Sequence, residues 1–190
     1  HYINMVYLED VFIPHNNLIY EENKGWTVAK YLLGHERTNN AQVASSKKAL
    51  SKIRRIAKLK INGTYSLSED KRFIDKLANC DLRVQALEYD LIKVISNEIK
   101  GISPGVEANM LKIRGSEIQQ EITELVLEAS GYYANSIQNN IIEIGMNEPK
   151  VGPSWTSTSA QKYFDMRKTT IYAGSTEIQK NILAKMVLEL

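Results

Sequence analysis

The sequence predicts an all-α fold, an up-and-down four-helix bundle with a short N-terminal extended segment. Three observations predict it. Apolar residues recur at three- and four-residue intervals over long stretches, which is the spacing of an amphipathic helix. Those stretches have no proline in their interiors. Glycines fall between the stretches, where short turns would join antiparallel helices.

The stretch before the first helix favours a strand. Residues 2–13 are rich in β-branched and aromatic side chains and stop at Pro14, so we expect a strand followed by a loop. A lone strand cannot pair with itself. It either packs as an arm on the helices or, as we prefer, pairs with strands upstream of residue 1.

Two long helices are expected in the first half of the chain. One spans about residues 25–60 and ends near Gly63, and the other spans about residues 68–100 and is closed by Gly101. The apolar positions of the first are Trp26, Ala29, Leu33, Ala41, Ala44, Leu50, Ile53 and Ala57. Those of the second are Phe73, Leu77, Cys80, Val84, Leu87, Leu91 and Val94.

The second half predicts two more main helices. Ser103 and Pro104 open a third helix that continues to Gly131, because proline is favoured in a first turn. Its apolar face comprises Leu111, Gly115, Ile118, Ile122, Leu125 and Ala129. Residues 132–156 read as irregular, and a short helix follows over about 157–167. The last helix runs over 175–190, with Ile178, Ile182, Leu183 and Met186 expected to face inward.

Composition excludes several classes of function. The 190 residues are 43% hydrophobic and carry a formal charge of +2, which suits one substantial core and gives no charge excess for nucleic acid. The basic cluster over residues 47–55 fits the solvent side of a helix better than a phosphate-binding stripe. No apolar run approaches the roughly 18 residues that a membrane span needs. We expect a soluble protein with no nucleic-acid or membrane partner.

The titratable sulfur and imidazole groups indicate no metal site. Cys80 is the one cysteine and lies within an apolar helical pattern, so we interpret it as a packing residue in a reducing compartment. His1, His15 and His35 lack metal-ligand spacing. We therefore expect no bound metal.

A tight turn precedes the last helix. Gly174 can adopt backbone angles closed to other residues, and the hydroxyl of Ser175 can cap a helix that has Glu177 in its first turn. Such a turn presents unpaired N–H groups to a ligand. On composition alone, an ordinary helix cap is the favoured explanation of this turn.

Two stretches resemble one known family. Residues 171–182, IYAGSTEIQKNI, look like the closing signature of the acyl-CoA dehydrogenases, and residues 8–26, LEDVFIPHNNLIYEENKGW, resemble the passage from that family's middle β-domain into its C-terminal helical bundle. The resemblance implies that residues 1–20 are the end of the β-domain with a linker and that residues 21–190 are the bundle. It also implies that the family's N-terminal helical domain is absent from this sequence.

The resemblance also implies a reaction, in which a carboxylate removes the proton beside a thioester while hydride passes to FAD. Many members carry that glutamate where this chain has Ala173, which cannot accept a proton. Other members supply it from the first bundle helix, where this chain has Glu36 followed by Arg37. Glu36 is thus the expected base, and the alternative is one more solvated helix carboxylate.

The remaining site residues follow from the same resemblance. The backbone N–H of Ala173 would stabilise the developing oxyanion, while Arg37, Tyr172 and Gly174 would bind the acyl substrate. Ser175, Thr176 and Glu177 would contact FAD at the helix N-terminus. Two flavin-contacting features of the family have no clear counterpart in residues 62–66, NGTYS, and residues 125–132, LVLEASGY.

The function implied is α,β-dehydrogenation of an acyl-CoA, with electrons passed to an electron-transfer flavoprotein. A homo-oligomer, tetramer or dimer, is expected in the cytoplasm, or in the mitochondrial matrix of a eukaryote. Two alternatives stay open. One is a non-catalytic partner subunit of a heteromeric acyl-CoA dehydrogenase, and the other is a plain helical interaction module with coincidental motifs.

Overall fold

A computed structural model describes residues 4–59, 66–102, 105–138 and 149–189, apart from the side chains of residues 34, 35 and 37. Within those residues the chain forms six α-helices and no strand. They are α1 (Gly25–Asn40), α2 (Val43–Ala57), α3 (Lys71–Ile99), α4 (Glu107–Ser130), α5 (Ser159–Asp165) and α6 (Thr176–Val187). The all-α prediction is confirmed.

Helix α4 lies at the centre of the molecule. It packs against each of the other five helices, and most closely against α3. The apolar faces predicted for α3 and α4 are confirmed, and they meet α2 in one core. Its largest fully buried apolar side chains are Phe73, Leu50, Ile53, Leu87, Leu111, Ile118 and Val84. Each such side chain contributes about 1.5–3 kcal/mol by leaving water.

The ends of the helices agree with the local signals. Asp70 caps α3 by accepting hydrogen bonds from the backbone N–H groups of Arg72 and Phe73, at 2.9 and 3.3 Å. Gly101 follows α3 and Gly131 follows α4, both with positive φ. The predicted helix start at 103–104 lies outside the described residues, and α4 begins at Glu107.

The prediction of one helix over residues 25–60 is wrong. The helix is interrupted at Gln42, which has a left-handed φ of 50°. Gly115 makes room for this junction, because a Cβ there would lie 2.8 Å from the Cα of Ala41 and 3.0 Å from the carbonyl oxygen of Asn40. The end of α1 therefore rests directly on the backbone of α4. A side-chain hydrogen bond from Gln42 Nε2 to the carbonyl of Asn39, 2.9 Å long, supports the bend.

Two further expectations are corrected. Residues 4–13 form no strand and are exposed to solvent throughout, because no described segment pairs with them, and their pairing with strands upstream of residue 1 stays a prediction. In α6, Ile178 and Met186 are exposed rather than inward. The buried positions at the start of that helix are instead Thr176 and Gln179, because α6 meets α4 with a polar face.

Candidate active site

The turn before α6 has a strained backbone. Ala173 has a φ of 54° and Gly174 a φ of 85°, so two successive residues lie in the left-handed region. For alanine this costs free energy, about 1 kcal/mol or more, since its Cβ crowds the following carbonyl. Among the described residues the N–H of Ala173 has no hydrogen-bond acceptor. The turn therefore offers a fixed and free donor.

The turn is built on the helical segment that precedes it. Residues 166–170 form a short 3-10 helix directly after α5. The backbone N–H groups of Ile171 and Tyr172 both donate to the carbonyl of Lys168, at 2.9 and 3.1 Å. These bonds fix the direction in which the chain enters the turn.

The N-terminus of α6 is polar and partly unsatisfied. Ser175 caps the helix by accepting a hydrogen bond from the N–H of Ile178 at 3.4 Å. Hydrogen bonds from the backbone amide of Glu177 and from the Ser175 hydroxyl to the Glu177 carboxylate lower the pKa of that carboxyl. Thr176 Oγ1 and Gln179 Oε1 are buried and have no hydrogen-bond partner among the described residues. A bound polar group would satisfy them.

Gln179 also lies against the turn. A Cβ at Gly174 would fall 2.3 Å from Gln179 Nε2, so the amide of Gln179 packs on the glycine. Sequence reasoning missed Gln179, because its position in α6 is not part of the apolar pattern. The signal available was a polar residue one helical turn after the cap, on the same side as Thr176.

A buried lysine lies beneath the same region. Lys112 of α4 is only 2% exposed, and its ammonium donates to the carbonyl of Thr169 at 2.7 Å. Burial lowers its pKa from 10.5, while the charge of Glu177 opposes that shift. Sequence reasoning missed Lys112 as well, since a lysine within a helix ordinarily faces water.

A polar cavity of about 180 Å³ joins α1 to this turn. Its lining residues are Asn40, Gln42, Lys112, Ser116, Gln119, Thr169 and Tyr172. Glu36 is exposed and lies one helical turn before Asn40, on the same face of α1 and about 6 Å along its axis. The structure thus brings the end of α1 beside Tyr172. The side chain of Arg37 is outside the described residues.

The remaining residues of the predicted site lie in the turn before α6 and at the start of that helix. Tyr172, Ala173, Gly174, Ser175, Thr176 and Glu177 follow one another through the turn and into the start of α6; Tyr172, Gly174 and Glu177 are exposed, whereas Thr176 is buried. Tyr132, at the end of the stretch 125–132, is 91% exposed. In the described part of the chain no three metal-ligating side chains converge, and no helix has the length and apolar character to cross a membrane.

Sequence comparison places the chain among known proteins. A family model described as "Acyl-CoA dehydrogenase, C-terminal domain" matches residues 23–188. The mouse mitochondrial long-chain specific acyl-CoA dehydrogenase is 24% identical over 186 residues, which is 96% of this chain and 39% of that protein. The chain therefore spans about two fifths of that relative's length.

Solved structures show the same fold. A chain of the ChsE4–ChsE5 complex from Mycobacterium tuberculosis superposes with a TM-score of 0.74 and 25% identity, covering 97% of this chain and 45% of that one. Butyryl-CoA dehydrogenase from Megasphaera elsdenii superposes with a TM-score of 0.71 and 23% identity, covering 95% and 43%.

Proposed function

The chain belongs to the acyl-CoA dehydrogenase family through its C-terminal domain, and we propose that it forms the helical part of an FAD-dependent enzyme that dehydrogenates an acyl-CoA thioester. The main support is the family match over residues 23–188 together with the cavity that joins α1 to the turn before α6. The division into residues 1–20 as the end of a β-domain and 21–190 as the bundle is part of this proposal.

Glu36 is the proposed general base. The reaction needs a carboxylate within reach of the carbon beside the thioester carbonyl, and the methyl group of Ala173 cannot accept that proton. Glu36 lies one helical turn before Asn40 on α1, and Asn40 is one of the residues that line the cavity next to Tyr172. The small side chain at position 173 leaves room for a base that comes from α1.

The backbone N–H of Ala173 is the proposed oxyanion donor. Abstraction of the α-proton places negative charge on the thioester oxygen, and a donor already aimed at that oxygen stabilises the charge without reorganising. The left-handed conformation holds this N–H away from any acceptor among the described residues. Substitution of the side chain leaves a backbone donor intact, so Ala173 can keep this role. Arg37, Tyr172 and Gly174 are proposed to border the acyl group.

The N-terminus of α6 fits a flavin. Ser175, Thr176 and Glu177 are proposed to hold FAD, and the buried Thr176 Oγ1 and Gln179 Oε1 are available to its polar edge. The positive end of the helix dipole favours a negatively charged group there. Bound FAD would accept the hydride that leaves the β-carbon of the substrate.

Partners follow from the same proposal. Reduced flavin must be reoxidised, and an electron-transfer flavoprotein is the proposed acceptor. We propose a homo-oligomer, a dimer or tetramer, or a heteromer with a related subunit, which the two-component complex among the structural relatives supports. The proposed compartment is the cytoplasm, or the mitochondrial matrix of a eukaryote.

Anaerobic titration tests this function. The flavin-loaded protein that contains this chain is mixed with straight, branched and long acyl-CoAs while flavin absorbance is followed. Bleaching by one chain class supports the proposal. Flavin that is held but never bleached indicates the non-catalytic partner subunit instead, and a protein that binds no flavin contradicts both readings.

A further inference from the structure

Helix α4 carries a polar stripe within its otherwise apolar contacts. The polar stripe comprises Lys112, Ser116, Gln120 and Thr123, which are spaced four, four and three residues apart and so share one side of the helix. Lys112 and Ser116 are each 2% exposed. Polar groups buried at this depth require partners.

Every member of the polar stripe, by side chain or backbone carbonyl, bonds to residues 166–170. Lys112 Nζ donates to the carbonyl of Thr169 at 2.7 Å, and Gln120 Nε2 donates to the carbonyl of Arg167 at 3.2 Å. Arg167 Nη2 donates in return to Gln120 O and to Thr123 Oγ1, both at 3.2 Å. Thr169 Oγ1 lies 3.4 Å from the carbonyl of Ser116. The 3-10 segment is thus held along its whole length.

Lys112 acts at the end of that segment nearest the turn. Thr169 is itself 2% exposed, so its carbonyl is largely removed from solvent and accepts its hydrogen bond from the Lys112 ammonium. The adjacent carbonyl of Lys168 receives the N–H groups of Ile171 and Tyr172. Movement of Thr169 would therefore carry the backbone donors of the turn with it.

The position of the cation is specific. A methylene chain alone would fill the same buried space without the desolvation cost of a charge. The carbonyl groups at the end of a helical segment form the negative end of its dipole, where a cation is favourable. The charge is also close enough to Glu177, in the first turn of α6, to act on that carboxylate.

We propose that Lys112 is a positioning residue for the candidate site. Its hydrogen bond to the Thr169 carbonyl holds the turn at Tyr172, Ala173 and Gly174 in the geometry that aims the Ala173 N–H at the substrate. The catalytic meaning of this role rests on the proposed function, whereas the mechanical coupling between Lys112 and the turn does not.

Amide hydrogen exchange tests the coupling without flavin or substrate. In wild type, the N–H groups of Ile171 and Tyr172 should exchange roughly a hundredfold more slowly than in an unfolded peptide, because both are hydrogen-bonded in a held segment. In Lys112→Met, which keeps the length but loses the ammonium, their exchange should accelerate about tenfold or more. The buried amides of α3 should change little.

The matched control is Lys162→Met, because Lys162 lies exposed on α5 and its side chain meets the same solvent before and after folding. That variant should leave the amides of Ile171 and Tyr172 unchanged. Fast exchange of these two amides in wild type would overturn the proposal, and so would an equal loss of protection in α3 and at the turn in Lys112→Met. If Lys112→Met does not fold, the wild-type exchange and the rescue by Lys112→Arg decide the matter.

Kinetic measurements distinguish the positioning role of Lys112 from the proposed function. In the flavin-loaded protein, Lys112→Met should lower kcat about tenfold or more with little change in KM, because an oxyanion donor acts mainly in the transition state. If neither protein bleaches with acyl-CoA while the exchange result holds, the proposed function fails and the coupling stands. If Lys112→Met bleaches at the wild-type rate, the positioning role is wrong.

Discussion

Gly115→Ala should destabilise the chain although alanine is the better helix former. In an open helix interior this substitution gains about 1 kcal/mol. At Gly115 the added Cβ would lie 2.8 Å from the Cα and 2.9 Å from the carbonyl oxygen of Ala41. Both contacts are with backbone, so no flexible side chain can move aside to relieve them.

The expected loss of unfolding free energy follows from how far the junction between α1 and α2 must move. To restore ordinary contact, the junction between α1 and α2 must move away from α4 by roughly 1 Å, and such overpacking costs about 1–3 kcal/mol. After the gain of about 1 kcal/mol in helix propensity, we expect a net loss of up to about 2 kcal/mol. For a chain of this size each kcal/mol lowers Tm by about 2–4 °C. The moved junction also displaces Asn40 and the cavity wall.

Urea unfolding followed by circular dichroism provides the assay. Gly25→Ala is the matched control, because nothing lies within 4 Å of a Cβ at Gly25 in the first turn of α1. That variant should be neutral or slightly more stable than wild type. If Gly115→Ala proves more stable than wild type, the close approach of Gly115 to the Ala41 backbone does not limit stability and the reasoning is refuted.

Three further outcomes are expected. Asp70→Ala should lose about 1 kcal/mol of unfolding free energy in urea, because it removes the α3 cap, while Asp70→Asn should stay close to wild type. Burial raises the pKa of Cys80 from 9.0 to about 12, so the folded chain keeps the proton that the unfolded chain loses. Wild-type stability should therefore fall between pH 9 and 12 relative to Cys80→Ala, by at most about 1.4 kcal/mol per pH unit; parallel profiles would contradict this. Glu177 has its pKa held below 4.5 by hydrogen bonds from its own amide and from Ser175. The contribution of Glu177 to the free energy of unfolding is therefore present above that pH and lost in acid. Glu177→Gln should reduce the slope of unfolding free energy against pH on the acid side, and an unchanged slope would refute the assignment.

The sequence can predict helix faces and helix caps, because these features depend on residues that are close together along the chain. The apolar faces of α3 and α4 follow from spacing alone, and the caps at Asp70 and Ser175 follow from local hydrogen bonding. The break after Asn40 could not be found this way. It depends on Gly115, which lies far along the chain and reads in sequence as one more small residue of an apolar face.

The candidate site likewise contains some residues that the local sequence predicts and others that only tertiary contacts identify. The turn at Ala173 and Gly174 and the capped start of α6 are local features, so their residue types predict them. Lys112 and Gln179 are different, because each is a polar residue whose burial is decided by tertiary contacts. Four polar residues at helical spacing in α4 were the available signal. The apolar periodicity that predicts α4 does not include these positions, so it gives no indication of the polar stripe.

The rate of anaerobic flavin bleaching in Glu36→Gln is the most direct test of the proposed mechanism. The flavin-loaded protein is mixed rapidly with the acyl-CoA that bleaches wild type, and Glu124→Gln serves as control because Glu124 is exposed on α4. Loss of a general base should slow bleaching by about 10²–10⁴-fold in Glu36→Gln and leave the control unchanged. Bleaching of Glu36→Gln at the wild-type rate would show that another group removes the α-proton.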